Sequence, residues 1–191
     1  MLIHDDDLLD NKYFPYIWEV LSELKNEFRI KKIGISTYKY NINIKLLRKY
    51  RFDIVQLPFN IYDQTRSNNG FIKKLNDNNI EIHARSIFLQ GVLLQDYRKL
   101  KGIFYSVRDH QKKMHNFLKQ NGMTKIEGCL SAVIQNDIQK IIIGCDSLVQ
   151  LKEIHKSFIN VTHNSTFKNL KKFSINDMEI INPSLWKINE K

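Results

Sequence analysis

The run "LIHDDDLLD", residues 2–10, sets His4 at the end of a short apolar stretch and follows it with Asp5, Asp6, Asp7 and Asp10. Carboxylates so closely spaced offer the oxygen atoms that hard cations take, and they are equally what a loop needs when it leaves a strand and caps the next helix. Capping is the plainer reading, and no metal is expected here. Further along, single polar residues close other apolar runs: Ser36 after "KKIGI", Gln56 within "FDIVQL", Arg85 with Ser86 after "IEIHA", and Gly144 after "QKIII". Arg85 is the most versatile of these, because its planar guanidinium can stack on a ring, bind an anionic group or pair with an acid.

These side chains meet only if the apolar runs are strands of one sheet. Ile17, Val20, Leu21, Leu24 and Phe28 recur at helical spacing, and "KKIGIS" follows as a strand. Ile44, Leu46, Leu47 and Tyr50 mark a second helix, and "FDIVQL" is continuously apolar, as buried parallel strands are. "GFIKKLNDNN" predicts a helix running into an Asn-rich turn, "IEIHA" the next strand, and residues 105–135 two helices separated by "NGM". "QKIIIGC" is the last strand. "SLVQLKEIHKSF" is the last helix, N-capped by Ser147, with Leu148, Leu151, Ile154 and Phe158 as its inner stripe. With "LIH" counted, five strands are each followed by helical sequence, which predicts parallel βα units. An open doubly wound sheet and a (β/α)8 barrel both fit that alternation. Polar residues at all five strand ends favour the barrel, which gathers them on one rim; an open sheet gathers only those at its switch point.

Composition narrows the class. A chain of 191 residues, 42% hydrophobic and 26% charged, is long enough for one substantial core, so residues 1–191 are read as a single domain. Cys129 and Cys145 match neither a metal nor a secreted disulfide spacing and are expected to be small core residues in a reducing, cytoplasmic setting. No apolar stretch reaches the roughly 20 residues of a membrane helix, and the acidic start is the reverse of a signal peptide, so no membrane partner is expected. The net charge of +10 is dispersed in pairs such as Lys31-Lys32, Lys112-Lys113 and Lys171-Lys172. With no binding motif beside it, this charge reads as solvated helix faces, and no nucleic-acid partner is expected.

The segments "IKKIGISTY", "FDIVQLPFNIYDQ", "IEIHARSIFLQGVLL" and "KIIIGCDSLVQLKEI", in that order, with "INPSLW" near the end, resemble the later part of the aldo/keto reductase family. "LIHDDD" is similar to that family's fourth strand. The resemblance implies an α/β fold, a (β/α)8 TIM-type barrel represented by about five parallel βα units, strands 4 to 8. It implies binding of NADP(H) or NAD(H) in extended form and hydride transfer to a small-molecule carbonyl, with sugar-related substrates a suggestive setting. His4 takes the place of the histidine that orients and polarises the carbonyl. Ser36, with Thr37 beside it, and Gln56 resemble the residues that hold the nicotinamide carboxamide, whose acceptor oxygen and two donor hydrogens a serine and a glutamine can satisfy. Arg85 and Ser86 follow the seventh strand, Gly91 falls in the phosphate-contacting loop, Gly144 stands at the cofactor-binding position of the eighth strand, and Gln150 and Glu153 resemble adenosine-side contacts.

The sequence also departs from the family pattern. Arg85 stands where many members place an aromatic that stacks on the nicotinamide. Gly144 and Cys145 stand where better-known members recognise the 2′-phosphate with a lysine and a serine, which leaves NAD against NADP open. The family's tyrosine acid, with its lysine and aspartate, is carried on the first three strands, and all eight tyrosines here follow His4. The resemblance therefore implies a truncated domain, inactive alone because the acid segment is missing. Two alternatives stand beside it: one half of a split reductase completed by an N-terminal half or by a second copy, and a non-catalytic remnant or interaction protein.

Overall fold

Each continuous apolar run becomes a strand of one parallel sheet in the computed structural model, which describes residues 1–40, 42–163 and 169–186. The strands are β1 (Leu2–Ile3), β2 (Gly34–Ser36), β3 (Ile54–Pro58), β4 (Glu81–Arg85) and β5 (Lys140–Ile141). They pair in chain order, every neighbour parallel. Because the order never reverses, the sheet has no switch point. It is wound as a barrel wall is, and β1 and β5 lie at its two edges.

The helices are α1 (Phe14–Asn26), α2 (Ile44–Lys49), α3 (Thr65–Asn68), α4 (Phe71–Asp77), α5 (Arg108–Gln120), α6 (Lys125–Ile134), α7 (Leu148–His163) and α8 (Met178–Ile181). All five residues of β3 are buried, as expected of a central strand covered on both faces. Ile35, Val55, Leu57, Ile82 and Ala84 from the sheet pack with Phe14 and Leu21 of α1, Leu47 of α2 and Leu75 of α4 in the main core. Gly34 is where β1 and β3 crowd β2. A Cβ there would lie 2.6 Å from both the Ile54 Cβ and the Leu2 Cδ2, so only glycine fits. α6 begins with a capping box: Thr124 accepts from the Glu127 N–H, and the Glu127 carboxylate accepts from the Thr124 N–H.

A second core gathers Tyr62, Leu93, Met114 and Leu118 with Phe173, Ile180 and Ile181 from the C-terminal segment. That segment is strapped to the loop after β3. The Tyr62 carbonyl accepts from the Ile175 N–H at 2.8 Å, and Gln64 donates to the Leu170 carbonyl at 3.2 Å.

Three expectations are corrected. In α7 the buried residues are Ile154, Ser157 and Val161, whereas Leu148, Leu151 and Phe158 of the expected inner stripe are exposed, because α7 follows the edge strand and, among the described residues, packs mainly on α6. In α1 the inner face is Phe14, Trp18 and Leu21; Ile17 and Val20 are exposed, and Phe28 lies past the helix end with φ 61°. Cys129 is buried, its thiol pushed up to about 12 by desolvation, but Cys145 is exposed beyond β5, whose ladder is only two residues long. Ser147 does cap α7, accepting from the Gln150 N–H at 3.2 Å. Among the described residues no helix is long and apolar enough to cross a membrane.

Candidate functional site

Strand register brings the polar ends together. Ile3 pairs with Ile35, so His4, the next residue along, comes level with Ser36, and Ser36 pairs with Gln56. On β4, His83 pairs with Gln56, and Arg85 lies two residues further on the same face. His4, Ser36, Gln56 and Arg85, with Tyr38, line a cavity of about 350 Å³. Its floor is polar and buried: Ser36 is 5% exposed and Gln56 8%.

The Ser36 hydroxyl donates to Gln56 Oε1 at 3.1 Å. That bond fixes the amide, turning its NH2 away from the serine and leaving the serine lone pairs free to accept. A donor and an acceptor thus sit side by side on adjacent strands. Thr37 does not join them in the wall. It is buried behind the pair, where its N–H donates to the Gln56 carbonyl at 2.9 Å and its hydroxyl oxygen accepts from the Lys39 N–H at 2.8 Å.

Arg85 lies with its guanidinium carbon 4.0 Å from the centroid of the Tyr38 ring. Sequence reasoning missed Tyr38, although it stands two residues after Ser36 and so shares that residue's face of an extended chain. Below it is a buried ionic network that was also missed. Arg66 of α3 donates to Asp63 at 3.1 Å, to the Pro58 carbonyl at 3.1 Å and to the Tyr38 carbonyl at 2.7 Å, while stacking 4.0 Å over the Tyr40 ring. The Tyr40 hydroxyl donates to Asp63 at 3.1 Å. Burial pushes the Asp63 carboxyl up and Arg66 pulls it back; burial, with Asp63 alongside, raises the Tyr40 phenol to about 12. The pair is therefore an internal strut that holds the backbone at Tyr38.

Arg85 also lines a second, larger cavity of about 820 Å³, with Ser86, Gly91, Gly144, Gln150 and Glu153 in its wall. The loop after β4 reaches it through left-handed residues: Ser86, Leu89 and Gln90 have φ of 57°, 48° and 53°, and Gly91 has 83°. Such conformations cost about 1–3 kcal/mol each outside glycine and persist only where packing enforces them. Here Leu89 is fully buried, and Asn60 donates to the Ser86 carbonyl at 3.2 Å. A Cβ at Gly91 or Gly144 would meet nothing within 4 Å, so at both positions bare backbone faces open space where a ligand can approach closely. The Gln150 amide oxygen accepts from the Asp146 N–H at 2.8 Å, and so serves the start of α7 as well as the wall.

The acidic run forms a turn of 3-10 helix, Asp6–Asp10, capped by Asp5, which accepts from the Asp7 N–H at 3.0 Å. Lys39 pairs with Asp7 at 2.7 Å. Among the described residues no group of three or more His, Cys, Asp or Glu could hold a metal ion.

The model of the aldo/keto reductase family matches residues 1–175. Among solved structures, the chain is similar to aldo-keto reductase AKR11C1 from Bacillus halodurans in its apo form, with a TM-score of 0.71 at 17% identity over 90% of this chain. It is similar to the thermostable aldo-keto reductase Tm1743 with inhibitor epalrestat, TM-score 0.63 at 16% identity over 90% of this chain. It is also similar to the glycerol dehydrogenase AKR11B4 from Gluconobacter oxydans, TM-score 0.55 at 14% identity over 88% of this chain. The chain spans 59%, 58% and 60% of the length of these three. No curated protein sequence matches it significantly.

Proposed function

The chain belongs to the aldo/keto reductase family, and from that premise we propose that it carries the cofactor side of a carbonyl reductase, holding NAD(P)H across its two cavities. The observation that carries this reading is the Ser36–Gln56 pair. Its adjacent acceptor and donor complement the amide and carbonyl of a nicotinamide carboxamide, at one end of a polar surface that continues through Arg85 to Gly91, Gly144, Gln150 and Glu153. The two cavities fall in the size range of small-molecule and cofactor sites, roughly 300–1,000 Å³. When bound, the cofactor would supply a hydride. Around it His4, exposed on the rim of the smaller cavity, would hold the oxygen of a small-molecule carbonyl. On this reading residues 1–191 bind cofactor, and hydride transfer to a carbonyl without a general acid is slower by about 10²–10⁴.

Isothermal titration with NADH and NADPH tests the proposal. Saturable one-site binding supports it; absence of binding by a sample shown to be folded refutes it, and the relative affinities decide between NAD and NADP.

A second reading concerns partners. α1 exposes Tyr16 and Val20, α7 exposes Leu148, Val149 and Leu151, and these helices follow the two edge strands in the chain. Apolar residues beside unpaired strand edges suit association with a complementing half-barrel or a second copy. Sedimentation of the pure chain separates the cases: a monomer that gains reductase activity on adding a complementing βα segment favours the split enzyme, a stable dimer the second copy.

A further inference from the structure

The position where many family members place an aromatic against the nicotinamide holds an arginine here, and its surroundings specify what it meets. One face of the Arg85 guanidinium is covered by the Tyr38 ring, 4.0 Å from ring centroid to guanidinium carbon. Arg85 Nε is buried and has no hydrogen-bond partner among the described residues. The same holds for Arg66 Nε, so what singles Arg85 out is its charge at the open cavities, which calls for an anion with acceptor oxygens that the flat face of a pyridine ring does not offer. Arg85 also makes no ion pair with any described carboxylate, in contrast to Arg66 below it, which is matched by Asp63. Finally, Arg85 is common to the walls of both cavities. In a dinucleotide lying across them, the part that crosses between the nicotinamide nucleoside and the adenosine is the diphosphate, which brings both negative charge and acceptor oxygens.

We infer that Arg85 is the diphosphate-binding residue of this chain, with Tyr38 as the positioning residue that holds its guanidinium at the junction of the two cavities. The inference rests on the dinucleotide reading above and deepens it. Tyr38 is itself fixed by the bond from Arg66 to its carbonyl, so the order of support runs from the Asp63–Arg66 pair, through Tyr38, to Arg85.

The test is isothermal titration of the full chain and its variants with two ligands: NADH, and ADP-ribose, which keeps the diphosphate and adenosine but lacks nicotinamide. A charged hydrogen bond lost from Arg85→Gln weakens both ligands equally, by roughly 10- to 100-fold. Arg85→Lys, which keeps the charge without the planar fork, weakens both by less. Tyr38→Leu, which removes the ring, weakens both, and Tyr38→Phe, which keeps it, restores most of that loss. If Arg85→Gln weakens NADH and spares ADP-ribose, the arginine stacks on nicotinamide and the inference is overturned; it is overturned equally if neither affinity moves. Wild-type chain that binds neither ligand removes the dinucleotide reading itself, a result distinct from either of these.

Discussion

Ser36 and Gln56 stand opposite one another on neighbouring parallel strands, and the serine hydroxyl donates a hydrogen bond to the glutamine amide oxygen at 3.1 Å. The bond assigns polarity to both groups before any ligand arrives: the amide NH2 is left to donate and the serine oxygen to accept. Preorganisation of this kind spares the ordering cost that two free side chains would incur on binding.

Removing either partner should weaken NADH. A neutral hydrogen bond contributes about 0.5–1.5 kcal/mol net, so Ser36→Ala and Gln56→Ala are each expected to raise the NADH Kd roughly two- to tenfold. Because the two side chains act as a unit, the double variant should lose less than the product of the single losses. Titration calorimetry on the three proteins checks this, and multiplicative losses would mean that the pair is not acting together.

Two glycines should respond in opposite ways. Gly34→Ala puts a methyl group 2.6 Å from Ile54 and Leu2, an overpacking expected to cost about 1–3 kcal/mol in urea unfolding. Gly144→Leu meets nothing at its Cβ, so its unfolding midpoint should stay within error of the wild type while the side chain occupies the larger cavity and abolishes ADP-ribose binding. Retained ADP-ribose affinity in Gly144→Leu would place the adenosine elsewhere.

The Asp63–Arg66 pair is fully buried, so cutting it from one side leaves a charge stranded. Asp63→Ala is expected to cost about 3–5 kcal/mol. The double variant Asp63→Ala, Arg66→Met removes both charges and should be milder than the two single losses summed. Urea denaturation of all three provides the comparison, and strict additivity would show that the two residues do not interact energetically.

These cases mark what the chain disclosed in advance. Strand positions were legible because a run such as "FDIVQL" has only one good home, between two neighbours in a buried sheet, and its polar interruption at Gln56 then had to face the strand-end cavity. Five strands each succeeded by a helix left an open sheet and a barrel both standing, and it was the residues at the five strand ends that favoured the barrel-like winding. Arg66 was not legible: an arginine on a short helix reads as solvated, and its burial depends on Asp63, Tyr40 and two carbonyls that only the folded chain assembles. The apolar positions of α7 were visible, but periodicity reports which side of a helix is apolar and not what covers it. Beside the edge strand, Leu148 and Leu151 remain uncovered while Ile154 and Val161 turn inward.

At the opposite end of the sheet, Glu81 accepts from Lys32 in the loop before β2, from His83 on its own strand at 2.7 Å and from Lys140 of β5 at 3.0 Å. These bonds, Lys32 first, hold its carboxyl down at about 2 against 4.5 for the free group. A carboxyl with a lowered folded-state pKa stabilises fully above its unfolded value and loses that contribution as pH falls toward the folded one. Stability attributable to Glu81 is therefore present above about pH 4.5 and drains away towards about pH 2. The lysines are half-exposed, so salt should shrink the effect. Unfolding midpoints at pH 5 and pH 3 should converge in Glu81→Gln more than in the wild type; parallel curves would mean the cluster is energetically silent.

The central claim is that one dinucleotide lies across both cavities, and residue-resolved NMR of the isotopically labelled chain during NADH titration tests it most directly. The account predicts saturating shifts at the Gln56 side-chain amide, at the backbone N–H of Gly91 and Gly144, and at the Arg85 Nε–H, all fitting one Kd. Shifts confined to other surfaces, or saturation at Gly144 without any response at Gln56, would contradict it.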